Sequence, residues 1–294
     1  MTLWRGLAVL CLSALLSISC RPGHGNRIVI GSKNFTEQLV LGELIAQQIE
    51  RKGRSPVERR FYLAGTYICH QALLAGRIDM YVEYTGTALT AILNEEPSRD
   101  HSDVYRRVKD GYAQRFGLVV GEPLGFNNTF AIVIRGEDAR RLQIRTISQA
   151  AAYSRQWRAG FGYEFMERPD GYAGLVKTYG LQFAQPPRIM DLGLLYRALK
   201  DKQVDLVAGA ATDGLIAALD LVVLDDDQHY FPPYDAVPIV RREAFNRQEV
   251  RSVLAELAGK ITEEDMRKLN YALDGEHRDV TTVVADFRRR KGLE

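Results

Sequence analysis

The chain has 294 residues, room for two modest domains or one large one. Hydrophobic residues make up 46% and charged residues 26%, an ordinary globular composition that excludes a long disordered tail. The formal net charge is +2 and the basic residues are scattered singly, which argues against a nucleic-acid partner. The one dense basic run, Arg288 to Lys291, falls at the end of the last expected helix, where cations suit the negative dipole end.

At the start, Arg5 precedes an apolar stretch from Leu7 to Ile18 that is followed by Ser19 and Cys20. That is the layout of a secretory signal over residues 1–19. It is shorter than the roughly 20 apolar residues a bilayer-spanning helix needs. Leu16 to Cys20 resembles the bacterial lipoprotein box, in which the cleaved chain begins at a lipid-modified cysteine. Ser17 departs from the aliphatic residue usual there, so plain cleavage is the alternative. Cys11 then leaves with the signal and Cys20 carries the lipid. Cys69 remains alone in an apolar helical pattern, a buried inert thiol with no disulfide partner.

Beyond the signal, short β-branched runs alternate with helical patterns. Arg27 to Ile30 is a strand, and a helix from Phe35 to Lys52 follows it, with Asn34 as N-cap and Glu37 as its capping partner. Then come a strand in Pro56–Leu63, a helix over Thr66–Ala75, a strand at Ile78–Val82 and a helix after Thr85. Ala131–Ile134, Val204–Ala208 and Leu221–Leu224 are further strands, with a helix starting at Asp213. This alternation predicts an α/β fold with largely parallel sheets. After Val240 only helices are expected, at Gln248–Leu257, Glu263–Leu273 and Val280–Arg290.

Two stiff, aromatic-flanked breaks, Gly125–Phe130 and Phe231–Tyr234, read as segments crossing between two lobes. Residues 27–126 and 235–294 then form lobe one, 127–234 form lobe two, and a cleft lies between them.

Catalytic and metal signatures are weak. His24, His70, His101, His229 and His277 are isolated from one another, without Cys or carboxylate at ligand spacing. Asp225 to Asp227 lacks the loop glycine and bidentate Glu of a calcium loop and reads as a solvated turn. Gly160-Phe161-Gly162 lacks the third glycine of a dinucleotide site. No cofactor is expected.

Aromatic residues instead gather at segment ends, where open α/β sheets place ligands. Tyr84 follows a strand and opens a helix, while Phe130 and Tyr234 flank the crossings. Aromatic faces attract cations, each wall giving roughly 0.5–2 kcal/mol, and a cage of them suits a quaternary ammonium.

Several motifs in order carry a resemblance: Gly31-Ser32-Lys33-Asn34-Phe35-Thr36-Glu37-Gln38, Gln71-Ala72-Leu73, Glu83-Tyr84-Thr85-Gly86-Thr87, Pro123 to Thr129, Thr212-Asp213-Gly214 and Phe231-Pro232-Pro233-Tyr234. From about Ile28 to Leu293 the chain resembles the substrate-binding proteins of ABC importers for glycine betaine, choline and related osmoprotectants. The resemblance implies a two-lobed, type II periplasmic binding protein fold that closes around its ligand. It puts Tyr84, Phe130 and Tyr234 on the aromatic box and Asn128 among the ligand contacts. Lys33, Thr87 and Arg168 fall on partners for the anionic end.

It also implies a permease with its ATPase as partner, a monomer, and a periplasmic or outer-face location held by the lipid at Cys20. One position departs from the pattern. Many betaine binders carry a tyrosine where this chain has Ala210, in Gly209-Ala210-Ala211-Thr212-Asp213. A lost wall of about 1–2 kcal/mol lowers affinity roughly ten-fold, unless Tyr67, Tyr163 or a larger ligand fills the gap. Two readings follow: a binder of glycine betaine or choline, or of a bulkier betaine such as carnitine, a choline ester or ergothioneine. A bilobal enzyme or sensor is the reading from another class.

Overall fold

A computed structural model describes residues 25–53 and 55–293. The expected signal segment and Cys20 lie outside the described residues. Ten strands form two five-stranded sheets. The first contains β1 (Ile28–Gly31), β2 (Val57–Arg60), β3 (Met80–Tyr84), β4 (Leu118–Val120) and β10 (Ala236–Arg241), in the order β2-β1-β3-β10-β4. The second contains β5 (Phe130–Arg135), β6 (Ala159–Phe161), β7 (Arg188–Ile189), β8 (Leu206–Ala210) and β9 (Leu221–Leu224), in the order β7-β6-β8-β5-β9.

The sheets are mixed rather than largely parallel, and one strand in each accounts for the difference. β10 runs antiparallel to β3 and β4, and β5 runs antiparallel to β8 and β9, whereas β1, β2 and β3 are parallel, as are β6, β7 and β8. β5 and β10 are the strands that begin where the chain has just crossed between lobes. They leave the cleft, while their antiparallel neighbours arrive at it. The cleft is therefore lined by the C-terminal ends of β3 and β8, carrying Tyr84 and Ala210, by the start of β5, carrying Phe130, and by Tyr234, two residues before β10.

The crossings are pinned to each other. Tyr234 donates its backbone N–H to Asn127 Oδ1 at 2.7 Å, and Asn128 donates its own to the Tyr234 carbonyl at 3.0 Å. The Thr85 hydroxyl donates to the Pro233 carbonyl at 3.1 Å and accepts from the Asp235 N–H at 3.0 Å. Gly86 permits this approach, because a Cβ there would stand 2.6 Å from the Pro233 carbonyl oxygen and 2.8 Å from the Tyr234 ring.

The helix Thr36–Lys52 buries Val40, Leu41, Leu44, Ile45 and Ile49, and the helices Gln248–Leu257, Glu263–Asp274 and Val280–Arg290 pack against it. Its start differs from the expected capping box. Phe35 occupies the N-cap position in extended conformation with no side-chain cap, and Glu37 turns into the protein. Four buried partners compete for that carboxylate and outweigh one local N–H.

Candidate functional site

Glu37 is the centre of the cleft floor. Its Oε1 accepts from the Tyr84 hydroxyl at 2.5 Å and from Asn128 Nδ2 at 2.8 Å. Its Oε2 accepts from the Thr212 hydroxyl and from Asn270 Nδ2 at 3.2 Å. Tyr84 ends β3 of the first sheet, Asn270 lies on the helix Glu263–Asp274, Asn128 lies on the segment leading from the first sheet to β5, and Thr212 follows β8 of the second sheet, so one carboxyl ties elements of both sheets together. Burial pushes its pKa up, while the hydrogen bonds from Thr212, Tyr84, Asn270 and Asn128 act in the opposite direction. No cation lies within ion-pair distance of it among the described residues. A buried acid with four donors and no cation favours a positive charge placed next to it.

Next to it are aromatic faces. Tyr84 is 5% exposed and stacks on Phe35, ring centroids 6.4 Å apart. Phe130 meets Tyr234 edge to face at 5.5 Å and packs on Phe165 and Phe231. Three of these rings already carry a cation of the protein itself. Lys33 Nζ lies 4.7 Å from the Tyr84 ring centre, and the Arg168 guanidinium lies 4.9 Å from Phe130 and 5.9 Å from Tyr234.

Both cations are held by acids. Lys33 pairs with Glu83 and donates to the Thr66 hydroxyl at 3.0 Å. Arg168 grips Asp170 through two parallel bonds, Nε to Oδ1 at 2.8 Å and Nη2 to Oδ2 at 2.5 Å. The Tyr234 hydroxyl adds a third at 2.7 Å. Burial opposes the charge on Asp170, but the guanidinium outweighs it and keeps the carboxyl below its usual range. Arg168 Nη1 makes no hydrogen bond among the described residues and can still meet a ligand carboxylate.

The structure thus brings Lys33, Tyr84, Asn128, Phe130, Arg168 and Tyr234 together. Thr87 is buried one residue beyond Gly86, but its hydroxyl joins none of these bonds. Tyr67 and Tyr163 do not reach the gap at Ala210: they are 37% and 66% exposed and neither lines the cavity there. That cavity, of about 150 Å³, is bounded by Phe35, Tyr62 and Asn270 on one side and by Tyr196, Ala210 and Asp213 on the other.

Sequence reasoning missed Glu37, Asp170 and Phe35. Asp170 follows Arg168 by two residues, a charge pairing visible in the sequence. Glu37 was hidden by its capping pattern. Phe35 was counted as helix.

Asp213, at the cavity wall, has its pKa pushed up to about 7 by burial and by the nearby charges of Asp274 and Glu37. A carboxyl raised in the folded state stabilises below the unfolded value near 4 and loses that contribution as pH rises through about 7. Asp213→Asn removes the penalty while keeping an acceptor for the Leu215 N–H, 2.9 Å away. The variant should gain up to about 4 kcal/mol at pH 8 and little at pH 4. Thermal melts at the two pH values check this, and equal gains at both would contradict it.

The family model described as the substrate binding domain of ABC-type glycine betaine transport systems matches residues 26–290. The chain is 34% identical over 292 residues to the carnitine transport binding protein OpuCC of Listeria monocytogenes, covering 96% of this chain and 94% of that protein. It is 33% identical to a glycine-betaine-binding protein of Pseudomonas aeruginosa, covering 97% and 94%. It is 35% identical to the ergothioneine transport permease/ergothioneine binding protein EgtU of Helicobacter pylori, covering 98% of this chain and 52% of that one.

A solved glycine betaine/carnitine/choline ABC transporter structure superposes with a TM-score of 0.75 at 32% identity, over 90% of this chain and 99% of that one. The match of the family model to residues 26–290 and the identity to these relatives over nearly the whole chain show that the chain belongs to the family of substrate-binding proteins of ABC-type glycine betaine transport systems.

Proposed function

We propose that the protein is the non-catalytic binding component of an importer and captures a quaternary ammonium compound of the glycine betaine and choline class between its lobes. What supports this reading is Glu37, a buried acid held by four hydrogen bonds, one of them from Tyr84, with no cation paired to it among the described residues, together with the edge-to-face rings of Phe130 and Tyr234. A quaternary ammonium has no N–H to satisfy, so aromatic faces and a nearby negative charge suffice to hold it. Lys33, Arg168 and Thr87 are the proposed contacts for a carboxylate or hydroxyl at the other end, and Asn128 orients the floor.

Ligand contact with both lobes favours the closed state, which then docks on the permease and its ATPase. Residues 27–126 with 235–294 and residues 127–234 are the proposed moving bodies, acting as a monomer. The protein works outside the cytoplasmic membrane, tethered by a lipid at Cys20. No helix among the described residues is long and apolar enough to cross a membrane. A second reading, a bulkier betaine, is favoured by the cavity beside Ala210.

A thermal-shift panel of betaines, cholines and amino acids tests the proposal. A ligand at 100 times its dissociation constant adds about 2.7 kcal/mol of stability. At least one quaternary amine is expected to shift the melt, and Tyr84→Ala is expected to abolish most of that shift. Silence across all quaternary amines would end this reading.

A further inference from the structure

Basic residues that lie singly along the sequence are gathered by the fold at one place, the end of the first sheet opposite the cleft. Met80 pairs with Val240 and Leu118 with Arg241, so the starts of β3 and β4 and the end of β10 meet there. Arg77 comes just before β3 and Arg242 just after β10. The helix Thr36–Lys52 starts at the cleft, with Phe35 and Glu37, and brings Arg51 to the same far end in its last turn. Arg251 lies one turn beyond Arg247, whose guanidinium donates to the carbonyls of Gly25 and Asn26, both at 2.9 Å.

Arg51, Arg77, Arg242 and Arg251 are exposed and make no ion pair among the described residues. The acids beside them in the chain are already engaged. Arg59 holds Glu50, Arg241 holds Asp79 and Glu243, the Ser55 hydroxyl donates to Glu249, and Lys52 holds Glu256. An unbalanced group of like charges attracts a surface of the opposite sign. Between Arg241 and Arg242 and the ends of two helices lies a recess of about 80 Å³, floored by Leu73, Leu74, Phe116 and Leu118. Leu74 is 39% exposed. Guanidinium groups around an apolar recess suit a layer in which phosphates stand above hydrocarbon.

The chain itself brings such a layer near. Cys20, the proposed point of lipid attachment, stands five residues before Gly25. At about 3.6 Å per residue this connection reaches no more than about 18 Å, and Arg247 fixes where it leaves the fold. Resting on the tether reading, we propose that the arginine-bearing end of the first sheet is a membrane-facing surface that binds the phosphates of anionic lipids. Tyr84 lies at the opposite end of β3, so this contact turns the cleft away from the bilayer and toward incoming ligand. The contact is electrostatic and reversible, which leaves the tethered protein free to turn and dock.

Vesicle flotation with the chain from Arg21 to Glu294, which keeps every described element and lacks the lipid, tests the surface by itself. The protein is expected to float with phosphatidylglycerol vesicles at low ionic strength, to stay behind with phosphatidylcholine vesicles, and to be released by about 0.5 M salt. Each arginine close to an anionic leaflet contributes about five-fold to partitioning, so Arg51→Gln, Arg77→Gln, Arg242→Gln and Arg251→Gln combined should weaken flotation at least about fifty-fold. The control combines Arg155→Gln, Lys177→Gln, Arg188→Gln and Lys200→Gln, exposed cations around the second sheet. It changes the net charge equally and should float nearly as the parent does. Both variants should keep quaternary-amine binding. Equal losses in the two variants, or equal flotation with the two kinds of vesicle, would overturn the inference. Mass spectrometry of Cys20 in membranes judges the tether separately. An unmodified Cys20 with flotation intact removes the anchor and leaves the surface, whereas a lipidated Cys20 without phosphatidylglycerol binding removes the surface and leaves the anchor.

Discussion

Replacing Glu37 by alanine is expected to lower the melting temperature by about 10 °C and to abolish measurable binding of any quaternary amine. Each hydrogen bond to a charged group contributes about 1.5–3 kcal/mol, and a buried donor left without its partner adds a desolvation penalty. The Tyr84 and Thr212 hydroxyls can rotate to new acceptors. Asn270 retains the Thr212 carbonyl. Asn128 Nδ2 loses its bond to Glu37 and keeps the Tyr84 hydroxyl as a neighbour. A net loss of about 4 kcal/mol follows, and at roughly 2–4 °C per kcal/mol for a chain of this size it gives the stated shift.

Glu37→Gln separates the hydrogen bonds from the charge. Its amide can face Asn128, whose Oδ1 lacks a partner and can accept once that side chain flips. The fold should therefore lose much less, while binding still suffers. A full charge roughly 7 Å from a cation contributes about 2 kcal/mol at an effective dielectric of 20, or about thirty-fold in affinity. If Glu37→Gln binds choline as tightly as the parent, the acid is a structural clasp and not the counter-charge of the ligand.

The same residue shows where sequence reading stops. Asn34-Phe35-Thr36-Glu37 is a genuine local capping pattern, and nothing within ten residues contradicts it. The partners that win are Thr212 and Asn270, 175 and 233 positions away. Such contacts exist only once the chain has crossed twice between lobes. Local signals located the first helix, the last three helices and most strands, since periodicity and turn residues act over a few positions, and the ends of Leu221–Leu224 and Val280–Arg290 coincide with those expected, whereas helices such as His101–Phe116 went unread.

Strand direction was not local. β5 and β10 look like any other β-branched run, and they become antiparallel because each starts at a crossing. The aromatic walls were legible because glycine and proline punctuate the strand ends that carry them. The acids that set the charge of the site were not, because a buried carboxylate and a solvated one look alike in sequence.

Arg168→Ala is expected to be the most damaging change on the second lobe, and its repair is more informative than the damage. The replacement leaves Asp170 buried, its side chain 2% exposed, with the Tyr234 hydroxyl still donating to it at 2.7 Å but no cation beside it. Breaking a buried ion pair on one side costs about 3–5 kcal/mol, whereas replacing both members by groups of similar volume is often close to neutral. Arg168→Met combined with Asp170→Asn should therefore melt well above Arg168→Ala.

In that double variant the guanidinium no longer covers Phe130 and Tyr234, and the freed faces gain about 0.5–2 kcal/mol of attraction for an incoming ammonium. Choline, which lacks a carboxylate, should bind at least as well as to the parent. Glycine betaine should bind about ten-fold or more weakly, having lost a charged partner for its carboxylate. Competition calorimetry with the two ligands reads both changes at once. A double variant that loses choline and glycine betaine equally would show that Arg168 builds the cage wall itself and plays no part in distinguishing the anionic end.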